Sequence, residues 1–215
     1  MSRLSALGAL SVALVVSPVA SAVAVDPSVD PVIVPAEQVT VEVVTVNGVG
    51  CQQGTVAVWM QPDNQAIAVH FSVFMVETGL DVNRTRVSCQ LGLVVHAPEG
   101  YAFGVAGARH QGYAELAEGA SGWVQETHYL RGETPAPAVR HTLTGPMEDD
   151  WEYVDQAPAD SVAFSSCGVP SELFLNTQMR VVAGTSPRGT SNFMYRDSAD
   201  IYPSSSYHLT WRVCP

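Results

Sequence analysis

The chain has 215 residues, 47% of them hydrophobic, with a formal net charge of −11 and a pI near 4.8. All of its basic residues are arginines, which excludes lysine Schiff-base and lysine general-base chemistry. So acidic a surface argues against nucleic acid and anionic membranes, and for solubility or a cationic partner.

Residues 1–24 read as a secretory signal. Arg3 is a short positive n-region, Leu4 to Val16 an apolar h-region, and Ala20-Ser21-Ala22 and Ala22-Val23-Ala24 are cleavage-site patterns. The apolar run is too short for an ordinary membrane span, and no later segment is long and apolar enough for one. With no cysteine after the h-region, no lipid anchor is expected. The reading is a secreted, extracellular protein without a membrane span. Residues 25–38 contain Pro27, Pro31 and Pro35 and no clean period, so they form an extended, mobile leader, and 39–215 a single folded domain.

The stretch from Val41 to Phe74 predicts a β-hairpin with Cys51 at its entrance. Val56, Val58 and Met60 alternate with Ala57 and Trp59, and Ile67, Val69 and Phe71 alternate with Ala68 and His70. Between them Gln61-Pro62-Asp63-Asn64 is turn chemistry. Asn83-Arg84-Thr85 is a glycosylation sequon. Val87–His96 and Tyr101–His110 predict two more strands around a turn at Pro98-Glu99-Gly100, with Gly104 and Gly107 marking a bulge or close backbone approach. A short strand follows at Tyr113–Leu116, then strands at Trp123–Leu130 and Val139–Leu143 flanking a Pro-rich loop. Residues 145–156 read as an acidic turn, 162–165 as a short apolar strand, 172–183 as a strand, 184–206 as a long polar loop, and 207–213 as the closing strand. About nine short strands with Pro/Gly turns and no helical period predict an all-β, antiparallel two-sheet β-sandwich, jelly-roll-like or immunoglobulin-like.

Cys51, Cys89, Cys167 and Cys214 contain no C-x-x-C pair. In an exported chain such widely spaced cysteines read as disulfides. Four allow three connectivities, of which we expect Cys51–Cys89 and Cys167–Cys214. The spacing lacks the paired knuckles of a structural zinc site.

Several blocks carry a resemblance: VTVNGVGC (44–51), GTVAV (54–58), PDNQAIAVHFSVF (62–74), SCQLGLVVHAPEGYAF (88–103), GPMEDDW (145–151), SSCG (165–168), LNTQMRVVAGTS (175–186) and WRVCP (211–215). In this order they resemble the small secreted four-cysteine proteins of fungi and actinobacteria grouped as domain of unknown function family 4360. The resemblance spans nearly all of the chain beyond the signal and implies an exported all-β domain. It brings no catalytic residue with it.

No H-E-x-x-H, P-loop or G-x-S-x-G pattern is present. No cofactor is expected, with Ca²⁺ a possible bound ion. Glu148, Asp149 and Asp150 are its candidate ligands, since Ca²⁺ takes six to eight oxygens; the alternative is a solvated acidic turn. Trp151 and Tyr153, which share a face if extended, are with Trp123 candidate ligand-binding aromatics; the alternative is core packing. His128 and His141 form the third candidate, a metal-binding pair. If Leu130 pairs with Val139, the two imidazoles stand directly opposite each other. The function expected is a noncatalytic binding module at the cell surface or outside the cell, monomeric, with a glycan or protein ligand and no nucleic acid. The alternative is a secreted hydrolase using carboxylates around 148–155.

Overall fold

The period-two alternation is realised as two antiparallel sheets whose apolar faces meet. The computed structural model describes residues 33–79, 83–197 and 205–215, so the signal and most of the leader lie outside the described residues. The described strands are β1 Thr40–Asn47, β2 Val56–Met60, β3 Ala66–Phe71, β4 Met75–Thr78, β5 Asn83–Arg84, β6 Arg86–His96, β7 Tyr101–Leu116, β8 Ser121–Leu130, β9 Val139–Thr144, β10 Met147–Gln156, β11 Ser171–Val182, β12 Asn192–Arg196 and β13 Ser205–Val213.

One sheet has the order β1-β6-β11-β8-β9. The other is built around β7. Its one edge takes β13 and β12 end to end, at residues 101–109 and 112–115, and its other edge takes β10. Beyond β13 and β12 lie β3 and β4, and beyond those β2 and β5. Leu91, Leu93, Leu173, Leu175 and Met179 of the first sheet face Ile67, Phe103, Met194 and Tyr207 of the second, all buried.

The opening hairpin forms as expected, with Met60 opposite Ile67 and Val56 opposite Phe71. Its turn residue Asn64 takes a left-handed φ of 57°, which Asn tolerates better than most residues. The Asn64 side chain accepts from Val39 N at 3.1 Å and donates to Pro35 O at 3.1 Å and Glu37 O at 2.7 Å. The described end of the leader is therefore pinned to this turn rather than loose. The two disulfides are Cys51–Cys89 and Cys167–Cys214, as expected.

Five expectations fail, each because pairing partners decide what local pattern leaves open. The strands drawn at 101–110 and 113–116 are one sixteen-residue β7. The acidic turn at 145–156 holds β10, which pairs with β7 along its whole length despite its charges. The polar loop 184–206 contains β12, and 162–165 is not a strand. Finally, Val139 faces Glu126 and His141 faces Val124, a register four residues away from the one that would oppose the two histidines. The loop after β8 causes the shift by folding back along it. Ala136 N donates to His128 O at 3.0 Å, and Thr127 Oγ1 donates to Ala136 O at 2.6 Å. β8 thus runs four residues past the start of β9.

A buried charged network crosses the sandwich. The Arg196 side chain is fully buried. Its Nη1 pairs with Glu126 Oε1 and donates to Thr177 Oγ1 at 2.5 Å, both in the opposite sheet. Nη2 donates to His110 Nδ1 at 2.9 Å, and Nε to Ser205 Oγ at 3.0 Å. Tyr207 donates its hydroxyl to the other Glu126 oxygen at 2.9 Å. Asp197 Oδ1 accepts from Ser205 N and Oγ, each at 3.0 Å, across the break between β12 and β13. At the sandwich edge, His141 of β9 stacks on Tyr153 of β10 with ring centroids 4.0 Å apart, and its Nε2 lies 2.9 Å from both Asp155 carboxylate oxygens.

Arg196→Met should cost about 3–5 kcal/mol, because it strands the Glu126 carboxyl in the core. Adding Glu126→Leu should recover part of that loss in urea unfolding, a coupling that independent sites would not show. Reduction of the disulfides, whose cysteines are 38 and 47 residues apart, should cost about 4 kcal/mol per bridge in the chain-entropy model. An unchanged melting point after full reduction would contradict this.

Burial and then Arg196 hold the His110 imidazole well below its ordinary pKa, and burial lowers that of His128. In the unfolded chain both take up a proton near pH 6.5, about where free imidazole titrates. Just below that pH the unfolded state binds more protons, so stability falls as pH falls. Burial raises Glu126 and Asp197, which act in the opposite sense at lower pH. The stability lost between about pH 7.5 and 5.5 should therefore shrink in His128→Gln. An identical loss in the variant would contradict this.

Candidate functional site

The outer face of the second sheet carries a row of aromatic rings. Along β12 the residues alternate: Asn192, Met194 and Arg196 are buried, while Phe193 and Tyr195 face out. β7 brings Tyr113 opposite Tyr195 and Glu115 opposite Phe193. β10 adds Asp150 opposite Tyr113 and Glu148 opposite Glu115. On the other side β4 places Met75 beside Tyr195 and Glu77 beside Phe193. Two rows thus cross the strands, Met75–Tyr195–Tyr113–Asp150 and Glu77–Phe193–Glu115–Glu148.

The three rings are close to parallel. Tyr113 lies 5.6 Å from Tyr195 and 5.9 Å from Phe193, with interplanar angles of 19° and 30°, and Phe193 and Tyr195 are tilted by 12°. Gly112 allows β7 to pass beneath this row. A Cβ there would fall 2.0 Å from the Tyr195 carbonyl oxygen and 2.5 Å from the Trp151 ring.

Carboxylates surround the rings. Desolvation and the negative charges of Glu148, Glu115 and Asp150 raise the pKa of the Tyr113 hydroxyl, which keeps it a neutral donor. A shallow cleft of about 370 Å³ is lined by Glu115, Met147, Glu148, Thr190 and Ser191. Glu115 and Glu148 stand directly opposite each other in the register, like charges that gain nothing from adjacency in the free sheet. Such a face offers flat apolar rings, several acceptors and few positive charges. It suits polyhydroxylated rings, whose C–H faces stack on aromatics while their hydroxyls donate to carboxylates. It also suits amines, through charge and cation–π attraction.

The predicted residues fall differently. Trp151 and Tyr153 share a face, but it is the inner one: Trp151 is buried and Tyr153 is covered by His141. Trp123 projects from the outside of the other sheet, under the Arg140 guanidinium at 4.3 Å. The three do not form a common surface. Glu148 and Asp150 point outward, while Asp149 is on the other side of β10, because the stretch is a strand and not a turn. His141 is engaged by Asp155, and His128 lies along β8 away from it. Among the described residues no three His, Cys, Asp or Glu side chains are grouped to hold a metal ion. Sequence reasoning missed Tyr113, Phe193 and Tyr195. The N-F-M-Y-R alternation carried the signal, hidden inside a segment rich in Ser, Thr and Pro.

Comparison with known proteins places the chain in a family. The chain is 32% identical over 173 residues to an uncharacterized secreted protein of Arthroderma benhamiae, covering 80% of this chain and 70% of that one. Among solved structures it is similar to TmCBM61 in complex with beta-1,4-galactotriose, with 13% identity, a TM-score of 0.29, and coverage of 82% of this chain and 88% of that one. It is also similar to the enzymatically active domain of bacteriophage CBA120 tailspike protein 4, with 7% identity, a TM-score of 0.27, and coverage of 82% and 19%. Likenesses this distant say nothing of ligand or activity. Residues 37–214 match the domain of unknown function DUF4360. Two disulfides and a secreted relative agree on an extracellular location. The chain is a secreted β-sandwich protein, and it belongs to the DUF4360 family.

Proposed function

We propose that the protein is a noncatalytic extracellular binding module whose outer aromatic row docks a glycan that is neutral or carries amines. The observation that supports this reading is the set of three near-parallel half-buried rings, Phe193, Tyr113 and Tyr195, flanked by Glu77, Glu115, Glu148 and Asp150. An anionic polysaccharide would meet repulsion here, reinforced by the overall charge of −11.

Binding to mannan, soluble β-glucan, chitosan and pectin can be compared by affinity electrophoresis. The expected result is retardation by a neutral polymer or by chitosan and none by pectin. Tyr113→Ala and Tyr195→Ala should each weaken retention at least tenfold, about 1.4 kcal/mol or more, without loss of fold. Retention by pectin alone, or variants that bind as the parent does, would contradict the reading.

The directly opposed Glu115 and Glu148 favour one other reading, a glycoside hydrolase. Opposed Cβ atoms about 5 Å apart allow the carboxyl separation of about 5–5.5 Å that retaining enzymes use. Release of reducing ends that is abolished by Glu148→Gln would establish that reading over the binding module.

A further inference from the structure

A cavity of about 340 Å³ lies between the sheets where β8 outruns β9. Its walls are mainly apolar, including Val105, Leu130, Val139, Val162 and Leu173, and Thr134, Ala136 and Pro137 of the β8–β9 loop form one rim. Its size and lining are those of a small-molecule site rather than of a packing defect.

One fully buried polar atom of the lining residues lacks a partner. His110 lines the cavity and is fully buried. Its Nδ1 lies 2.9 Å from Arg196 Nη2, and a guanidinium has only donors, so Nδ1 must be the acceptor. The neutral ring then carries its proton on Nε2, and no described group accepts from it. A buried donor left unmade is costly, and sites that tolerate one invite an acceptor. The other polar wall groups limit what that acceptor can be. Both Glu126 oxygens are occupied, by Arg196 and Tyr207, and Asp155 is engaged by His141. An anionic head would face these two carboxylates, and an ammonium would present protons to a group that can only donate.

We propose that this cavity binds an uncharged, mainly aliphatic molecule bearing one hydrogen-bond acceptor, a carbonyl, ether or hydroxyl oxygen, which takes the proton of His110 Nε2. The site is separate from the outer aromatic row and independent of its role. Burial and the Arg196 charge keep His110 neutral, which holds the donor in place.

The test is calorimetric titration of the intact secreted protein with 2-nonanone and with nonanoate. Saturable binding of one ketone per chain is expected, with the carboxylate at least tenfold weaker. Ala136→Trp, a change on the loop rim that fills the cavity, should abolish binding of the ketone. His110→Phe, which keeps the ring and removes the donor, should weaken it at least tenfold. Tyr113→Ala should leave it unchanged. No saturable binding by the parent protein, equal binding of ketone and carboxylate, or full binding by Ala136→Trp would each overturn the proposal. If His110→Phe fails to fold, the rim variant and the carboxylate comparison still decide it.

Discussion

Arg196 organises the molecule. Its guanidinium, deep in the core, meets Glu126 and Thr177 in one sheet and His110 and Ser205 in the other. A buried pair of this kind stabilises little compared with well-packed apolar side chains, and it is expensive to leave half made. What it supplies is position: the β12–β13 break sits at one place on β7, because Asp197 and Ser205 bridge it and Arg196 anchors it. The apolar faces alone would permit neighbouring registers; the charged network distinguishes among them.

The candidate site depends on this placement. Arg196 and Tyr195 are adjacent on β12 and point to opposite faces, so the anchor inside fixes the ring outside. Met194 and Ala114 fill the core beneath the aromatic row, and Gly112 gives the backbone room to lie between Trp151 and Tyr195. The carboxylates around the rings are held by the β10–β7 ladder, which tolerates Glu148 opposite Glu115 because both face solvent on the outer side. A ligand that donates to these oxygens relieves a repulsion already present in the free protein.

The fold class, the opening hairpin and both disulfides were legible in the sequence, since period-two alternation, turn residues and cysteine spacing are local signals. The candidate ligand face was not. Trp151 is the most conspicuous aromatic in the chain, but it sits on the inner side of β10, and which face of a charged strand turns inward depends on its partner β7. His128 and His141 do share a face of their sheet, yet the β8–β9 loop folds back and moves their register by four residues. Phe193 and Tyr195 come from a segment whose prolines and serines read as loop, and they become a strand only because β4 and β7 offer free edges on both sides.

The central claim, that the outer face of the second sheet is the ligand surface, is tested most directly by amide chemical-shift mapping of the ¹⁵N-labelled protein during titration with a bound oligosaccharide. The account expects shifts concentrated at residues 113–115, 148–150 and 193–195, with the outer side of β8 and β11 unmoved. Shifts centred on Trp123, Tyr129 and Phe174 instead would place the ligand on the opposite sheet and contradict it.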